Sequence, residues 1–404
     1  MKRYFNKKII KVFMVFILIF PSITTIGSAT EINEDLPGVK NESSEILKDE
    51  EINNTLDGLY DYINNMKTDV ELLKDLDPVE YIKTYLETGE GSFTMTDVAN
   101  ACVSYMFREV KTVLSLVLTI IVISIICALL KNLQNAFAKE SISQIAFYAC
   151  YALLIVILAR SFMTSVDLVK DIIIGVSDFI GAVLPILVIM LAATGGFTQA
   201  ATMDPFILGA TLIIPRLYLN VIIPLILGSF VLEFANNMTS EHKLSNLCKL
   251  IKQSTLWMQG IILTVFIGLL TVRGIASSTI DAVTLKTAKF AVDNFIPIVG
   301  KAFSDAIASL AGYSLILKNA VSSIGLVVII LLMLYPVIKL VLMAFTYKLS
   351  AALIEPISDP RITKCVASAG DSIILLMSCV LTVSLMFFIL LAIMASSGRY
   401  VIGV

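Results

Sequence analysis

Long uncharged runs dominate the second part of the chain, at 112–130, 141–159, 179–203, 217–232, 253–272, 319–338 and 372–398. They are apolar throughout and too long for barrel strands, and about 20 apolar residues in a helix span the hydrocarbon of a bilayer. All but one are long enough outright. The 217–232 run qualifies if its helix begins near Pro205 and carries Arg216, and a further segment at 340–357 contains Lys348. The pattern predicts an all-α, polytopic membrane protein of about six to eight transmembrane helices.

The first hundred residues have a different texture. Five cations from Lys2 to Lys11 precede the apolar stretch 12–20, and Gly27-Ser28-Ala29 supplies small residues for a cut after Ala29. Residues 1–29 therefore read as a signal sequence, with an uncleaved first helix as the alternative, and either one leaves residue 30 outside the cytoplasm. Region 30–108 reads as a short acidic, helical, extracytoplasmic segment. Asp77-Pro78-Val79-Glu80 places an N-cap, a first-turn proline and a capping-box acid together, and Gly89 closes that helix. The membrane domain follows at 109–399.

Alternating the runs across a bilayer from that start raises a conflict. Lys131 and Lys139 fall inside, but the 233–252 loop, with Lys243, Lys249 and Lys252, falls outside, against the positive-inside tendency. A re-entrant or broken helix among the proline- and glycine-rich middle runs would repair it.

Charge adds a functional exclusion. Residues 30–100 hold 18 Asp+Glu against 5 Lys+Arg, a local net of 5 − 18 = −13, while the whole chain is at −2. So acidic a soluble part is repelled by phosphate, and no nucleic-acid partner is expected. The single histidine, His242, excludes multi-histidine metal sites, and neither a phosphate loop nor a G-x-S-x-G sequence occurs. The reading is of a non-enzyme without cofactor. The six cysteines lack C-x-x-C spacing and read as membrane thiols, not as a disulfide framework.

Polar residues among the apolar ones are the candidate functional positions. Arg160, Thr164, Asp167, Asp171 and Asp178 share one face of a helix, either a polar lining of a water-filled path or the wet side of an interfacial helix. Thr279, Lys286, Lys289 and Asp293 form a second stripe on a helix that breaks at Pro297. Asp281 points to the apolar side of that helix, and Ser278-x-x-Asp281 is also a capping-box spacing. Beyond the break, Gly300, Ser304, Ala308 and Gly312 recur every four residues, a small-residue face suited to helix packing in lipid. Lys289/Asp293 and Lys301/Asp305 can pair locally. Arg216 is an intramembrane charge that either snorkels or pairs with Asp204 or Glu233.

The strings GIASSTIDAVTLKTAKFAVDNFIPIVGKAFSDA (274–306), DPVEYIK (77–83), LLKNLQNAF (129–137) and ALIEPISDP (352–360) resemble the stage III sporulation protein AE family across most of the chain. The resemblance implies an endospore former and a place in the mother-cell membrane around the forespore. It also implies membership of a channel or feeding-tube complex that supports late forespore gene expression. Implied partners are other stage III sporulation proteins, among them a cytoplasmic ATPase and ring-forming extracytoplasmic domains, and membrane lipid. The resemblance assigns no catalytic residue. Two roles follow as expectations: a conduit-forming or conduit-supporting subunit, or a scaffold that anchors ring proteins in the membrane.

Overall fold

The computed structural model describes residues 84, 114–129, 140–238, 244–295 and 300–397. The signal sequence and nearly all of the acidic region, with the helix expected after Asp77, lie outside the described residues apart from Thr84, which is helical. Among the described residues the chain is helical and contains no strand. The helices are α1 (Leu114–Leu129), α2 (Glu140–Ala193), α3 (Phe197–Leu217), α4 (Ile223–Met238), α5 (Ser245–Phe295), α6 (Gly300–Ile354) and α7 (Pro360–Ser396). Five stretches, one each in α2, α5, α6 and α7 and one through α3 and α4, are long and apolar enough to cross a membrane, and α1 is a shorter apolar helix. Together they meet the lower end of the expected count.

Two runs that look separate in sequence prove to be one helix. The 141–159 run and the first part of the 179–203 run are joined by the polar stretch between them, which continues α2 unbroken to Ala193, while residues 197–203 open the next helix. Likewise 319–338 and 340–357 share α6. The sequence shows a polar interruption, but a helix hydrogen-bonds its own backbone and does not end because its surface changes character.

Helix α2 stops at a glycine pair. The Gly195 amide bonds to Ala192 O at 2.9 Å and the Gly196 amide to Leu191 O at 3.1 Å, the two bonds of a Schellman cap. Gly195 carries the positive φ of 86° that this cap requires, and a Cβ on Gly196 would lie 2.9 Å from the Leu191 side chain. Helix α3 starts at once on the other side. A five-residue π segment, Tyr218–Ile222, joins it to α4. Pro224 has no N–H for the Asn220 carbonyl, and the wider π turn, with Ile223 N–H bonded to Tyr218 O, absorbs the misfit.

The threading is therefore simple. Helix α2 runs from a first end of the bundle to a second, α3 through α4 returns, α5 runs out, α6 returns and α7 runs out. The start of α2, the end of α4, the start of α5 and the 355–359 turn between α6 and α7 all lie at the first end. With the polar stretch inside α2, Lys249 and Lys252 of α5 fall on the same end of the bundle as the start of α2. Helix α7 is the central element: its most apolar window is 67% buried, against 22% for α5. Helix α5 is peripheral and shows Trp257, Ile261, Val265 and Leu269 on its outer side.

Candidate functional site

Contacts between helices supply a depth ruler. The uncharged stretch of α5 between Lys252 and Arg273 is one hydrocarbon thickness long. Within it Gln259 accepts a hydrogen bond from Ser378 Oγ at 3.0 Å and donates from Nε2 to Cys379 Sγ at 3.3 Å, which places the middle of α7 at the same depth. Helix α6 meets α7 at Gly370 with Ala344 and Tyr347, and again at Gly325 with Leu391. Val183 of α2 also reaches Gly325, and Ser165 Oγ lies 3.3 Å from Met343 Sδ. The part of α2 from Ser165 to Val183 is thus abreast of the apolar heart of α6 and α7.

That part carries the first predicted stripe. Arg160, Thr164, Asp167, Asp171 and Asp178 are all exposed along one side of α2. Asp167 is 63% exposed and Lys170 38%, and they approach to 3.7 Å. The stripe belongs to a continuous bundle helix rather than to a separate amphipathic one. An ionised side chain at the bilayer centre costs roughly 2.5–3.5 kcal/mol, so this face is not one that lipid covers well. Neighbouring α3 brings Arg216 to similar depth, since Ser177 donates to Thr211 O at 2.9 Å just before it. Arg216 is exposed there. Of the alternatives left open for it, the pairing with Glu233 is not made, because Lys252 of α5 takes that carboxylate; the Asp204 side chain lies outside the described residues.

The second stripe belongs to a projecting hairpin. Helix α5 runs on unbroken through Thr279, Lys286, Lys289 and Asp293 to Phe295, and α6 begins at Gly300 on the far side of the predicted break. Gly300, Ser304, Ala308 and Gly312 follow one another at the start of α6. Gly312 is half-buried; the surroundings of Lys286, Lys289, Asp293, Gly300, Ser304 and Ala308, and the two local charge pairs, lie outside the described residues.

The root of this hairpin holds a buried polar clasp. Asp281 is 5% exposed. It is not a capping-box residue of its own helix, as its spacing to Ser278 allowed, because α5 does not start there. Its carboxylate instead accepts the Thr198 amide at 2.8 Å and the Gln199 amide at 2.9 Å, and so caps the N-terminus of α3. Gln199 Nε2 donates to Ser397 Oγ at 2.6 Å. Beside it Lys318 of α6, 0% exposed, donates to Met394 O and Ala395 O at 3.2 Å and to Ser397 O, closing the C-terminus of α7. One anion at a helix start and one cation at a helix end thus lie in a connected network, each matched to the sign of the helix dipole. Past the clasp α5 continues for about 14 residues and α6 for about 18, lengths of about 21 and 27 Å at 1.5 Å per residue.

Reasoning from sequence left Lys318 out entirely. It breaks an apolar run at its edge, and a lone lysine between Leu317 and Asn319 reads as the polar border of a span. Its partners sit 76 to 79 residues away. The opposite end of the bundle holds two further ion pairs, Glu233 with Lys252 and Lys348 with Asp371. There Asp359 caps α7 by accepting the Arg361 amide at 2.8 Å, with Pro360 at the first helical position. The described cysteines, Cys127, Cys150, Cys248, Cys365 and Cys379, are free thiols. Among the described residues no three His, Cys, Asp or Glu side chains are grouped as a metal site.

Comparison with known proteins gives this architecture a family. Residues 76–398 match the family model described as stage III sporulation protein AE. The chain is similar to stage III sporulation protein AE of Bacillus subtilis (strain 168), at 34% identity over 311 residues, covering 77% of this chain and 78% of that one. No solved structure matches. The matched region takes in every described helix, including the charged band, the clasp and the hairpin, and the chain belongs to the stage III sporulation protein AE family of sporulation proteins.

Proposed function

We propose that this chain is an integral-membrane component of the channel complex joining mother cell and forespore, seated in the mother-cell membrane around the forespore. Its first end lies in the cytoplasm, and its hairpin end, with the acidic region 30–108, lies outside. The observation that carries this orientation is the short connections at the first end, where Lys249 and Lys252 open α5 and Arg361 and Lys364 open α7 after the 355–359 turn, as cations do beside cytoplasmic loops. Helix α1 then makes the inward crossing from the acidic region.

In this role the chain acts without catalysis and presents a cytoplasmic end to an ATPase and a projecting hairpin to ring-forming extracytoplasmic domains. Its core is a continuous cluster of apolar side chains from α1 to α7. Such an interior supports a conduit at its surface, not one through the bundle. The clasp favours a second element of the role, that of scaffold, because it fixes the hairpin root to the ends of α3 and α7.

The test uses a cysteine-free variant with single cysteines at Asn135, Ser240 and Val299. In right-side-out membranes a membrane-impermeant thiol reagent is expected to label only Val299, and in inverted membranes only Asn135 and Ser240. The opposite pattern would overturn the orientation. Deleting the gene in its own host is expected to abolish late forespore gene expression; normal sporulation would remove the chain from the complex.

A further inference from the structure

We propose that α3 is a hinged strap of the membrane domain, latched by Asp281 at the root of the hairpin, and that it opens as a unit separate from α4. Both of its ends are built to bend. At its start the Gly195-Gly196 turn, with a φ of 86° at Gly195, divides it from α2. At its end the π segment Tyr218–Ile222 divides it from α4. Hinges are a few positions at element ends that absorb a change of φ and ψ, and a π turn interrupts the regular helical ladder. Between the two, Pro205 and Pro215 have no N–H for the carbonyls of Ala201 and Thr211. Ser177 of α2 donates to Thr211 O at 2.9 Å and so takes up the second of these. Packing divides the two helices in the same way. Helix α3 lies against α2 and α5, whereas α4 lies against α5 and the central α7. Of its described apolar side chains α3 buries Ala200, Ala210, Ile214 and Pro215, while α4 buries the rings of Phe230 and Phe234. A segment with fewer large apolar groups buried opens at a lower free energy than its neighbours.

What holds the strap is α5. The two helices run antiparallel, and three contacts follow one another along them. Asp281 accepts the Thr198 and Gln199 amides, Arg273 Nη1 donates to Thr202 O at 3.4 Å, and the Phe206 and Phe266 rings stack with centroids 5.7 Å apart. The first contact is the strongest. Its carboxylate meets two amides of the first turn while only 5% exposed, and bonds to a charged acceptor are stronger than neutral ones, the more so at the positive end of a helix dipole. The Arg273 bond is long and exposed by comparison. Gln199 adds one neutral bond, from Nε2 to Ser397 Oγ at the end of α7. Asp281 stands at the base of the α5 arm, so a displacement of that arm pulls on the start of α3 or frees it. Movement of the hairpin is thereby passed to Arg216, which rides on the last turn of α3 beside the charged band of α2. The strap works the same way whichever end of the bundle faces the cytoplasm.

Hydrogen exchange of the full chain in detergent, read by mass spectrometry, tests this. In the native chain the amides of 200–214 are expected to exchange together, about tenfold or more faster than those of 225–236 in α4. Asp281→Asn keeps the side-chain volume and removes the negative charge. It is expected to raise the 200–214 rate about fivefold or more and to leave 225–236 unchanged. Lys348→Met, at the opposite end of the bundle, is expected to change neither stretch. Equal protection of the two stretches in the native chain would overturn the strap, and that measurement needs no variant to accumulate. A rise confined to the Thr198 and Gln199 amides would reduce Asp281 to an ordinary cap, and a rise shared equally by 225–236 would mean general loosening. Either result would overturn the latch.

Discussion

Replacing Lys318 by methionine tests the clasp, because methionine fills nearly the same volume and removes only the ammonium. Of the three carbonyls that Lys318 serves at the end of α7, Met394 O keeps the Ser397 amide at 3.3 Å, while Ala395 O and Ser397 O lose their donor in a setting where Lys318 is 0% exposed. A buried polar group left without a partner costs about 1–3 kcal/mol. Taking the low end for each of the two carbonyls, since burial of the ammonium is relieved at the same time, gives a loss of about 2 kcal/mol. At roughly 2 °C per kcal/mol for a chain larger than a single small domain, the thermal midpoint in detergent should fall by about 4 °C. Hydrogen exchange should rise in the last turn of α7. The control is Lys348→Met, which breaks an ion pair whose members are 42% and 48% exposed, and such pairs contribute at most about 1 kcal/mol. Equal shifts for the two variants, or unchanged exchange at the α7 end in Lys318→Met, would refute the reasoning.

Three more outcomes follow from the same geometry. Asp281→Ala should raise exchange of the Thr198 and Gln199 amides and cost about 1–2 kcal/mol by urea or thermal unfolding, as for loss of a helix cap; protection as in the native chain would count against the cap. Lys252→Met should destabilise by about 3–5 kcal/mol because it strands the buried Glu233 carboxylate, and Glu233→Leu added to it should recover much of that loss; a double variant worse than the single one would contradict this. Gly195→Ala should cost about 1–2 kcal/mol, since its φ of 86° is unfavourable for a residue with a Cβ, and a midpoint unchanged within error would show that the turn can rearrange.

The start of α7 follows a local signal, Pro360 after the capping Asp359, whereas the break predicted at Pro297 lies outside the described residues. The α2 stripe was legible for a related reason: a spacing of three and four residues holds one face of a helix wherever that helix lies. Asp281 was legible as a residue on the wrong side of its helix but not as a cap of α3, whose start is 83 residues away. Lys318 gave no local signal at all.

The sequence alone determined that this is a helical membrane protein, where its apolar stretches lie and which residues share a helix face. These follow from hydropathy and the 3.6-residue period, and neither needs a distant partner. Only the structure decided that 141–159 and 179–193 form one helix, and hence which helix ends share an end of the bundle. It alone set the charged band at the depth of the apolar spans, and brought Asp281, Gln199, Lys318 and Ser397 together. The physical reason is that depth and charge compensation belong to pairs of helices. A buried ammonium is tolerated because three carbonyls from another helix end surround it, and nothing within a few residues of Lys318 announces where that end will be.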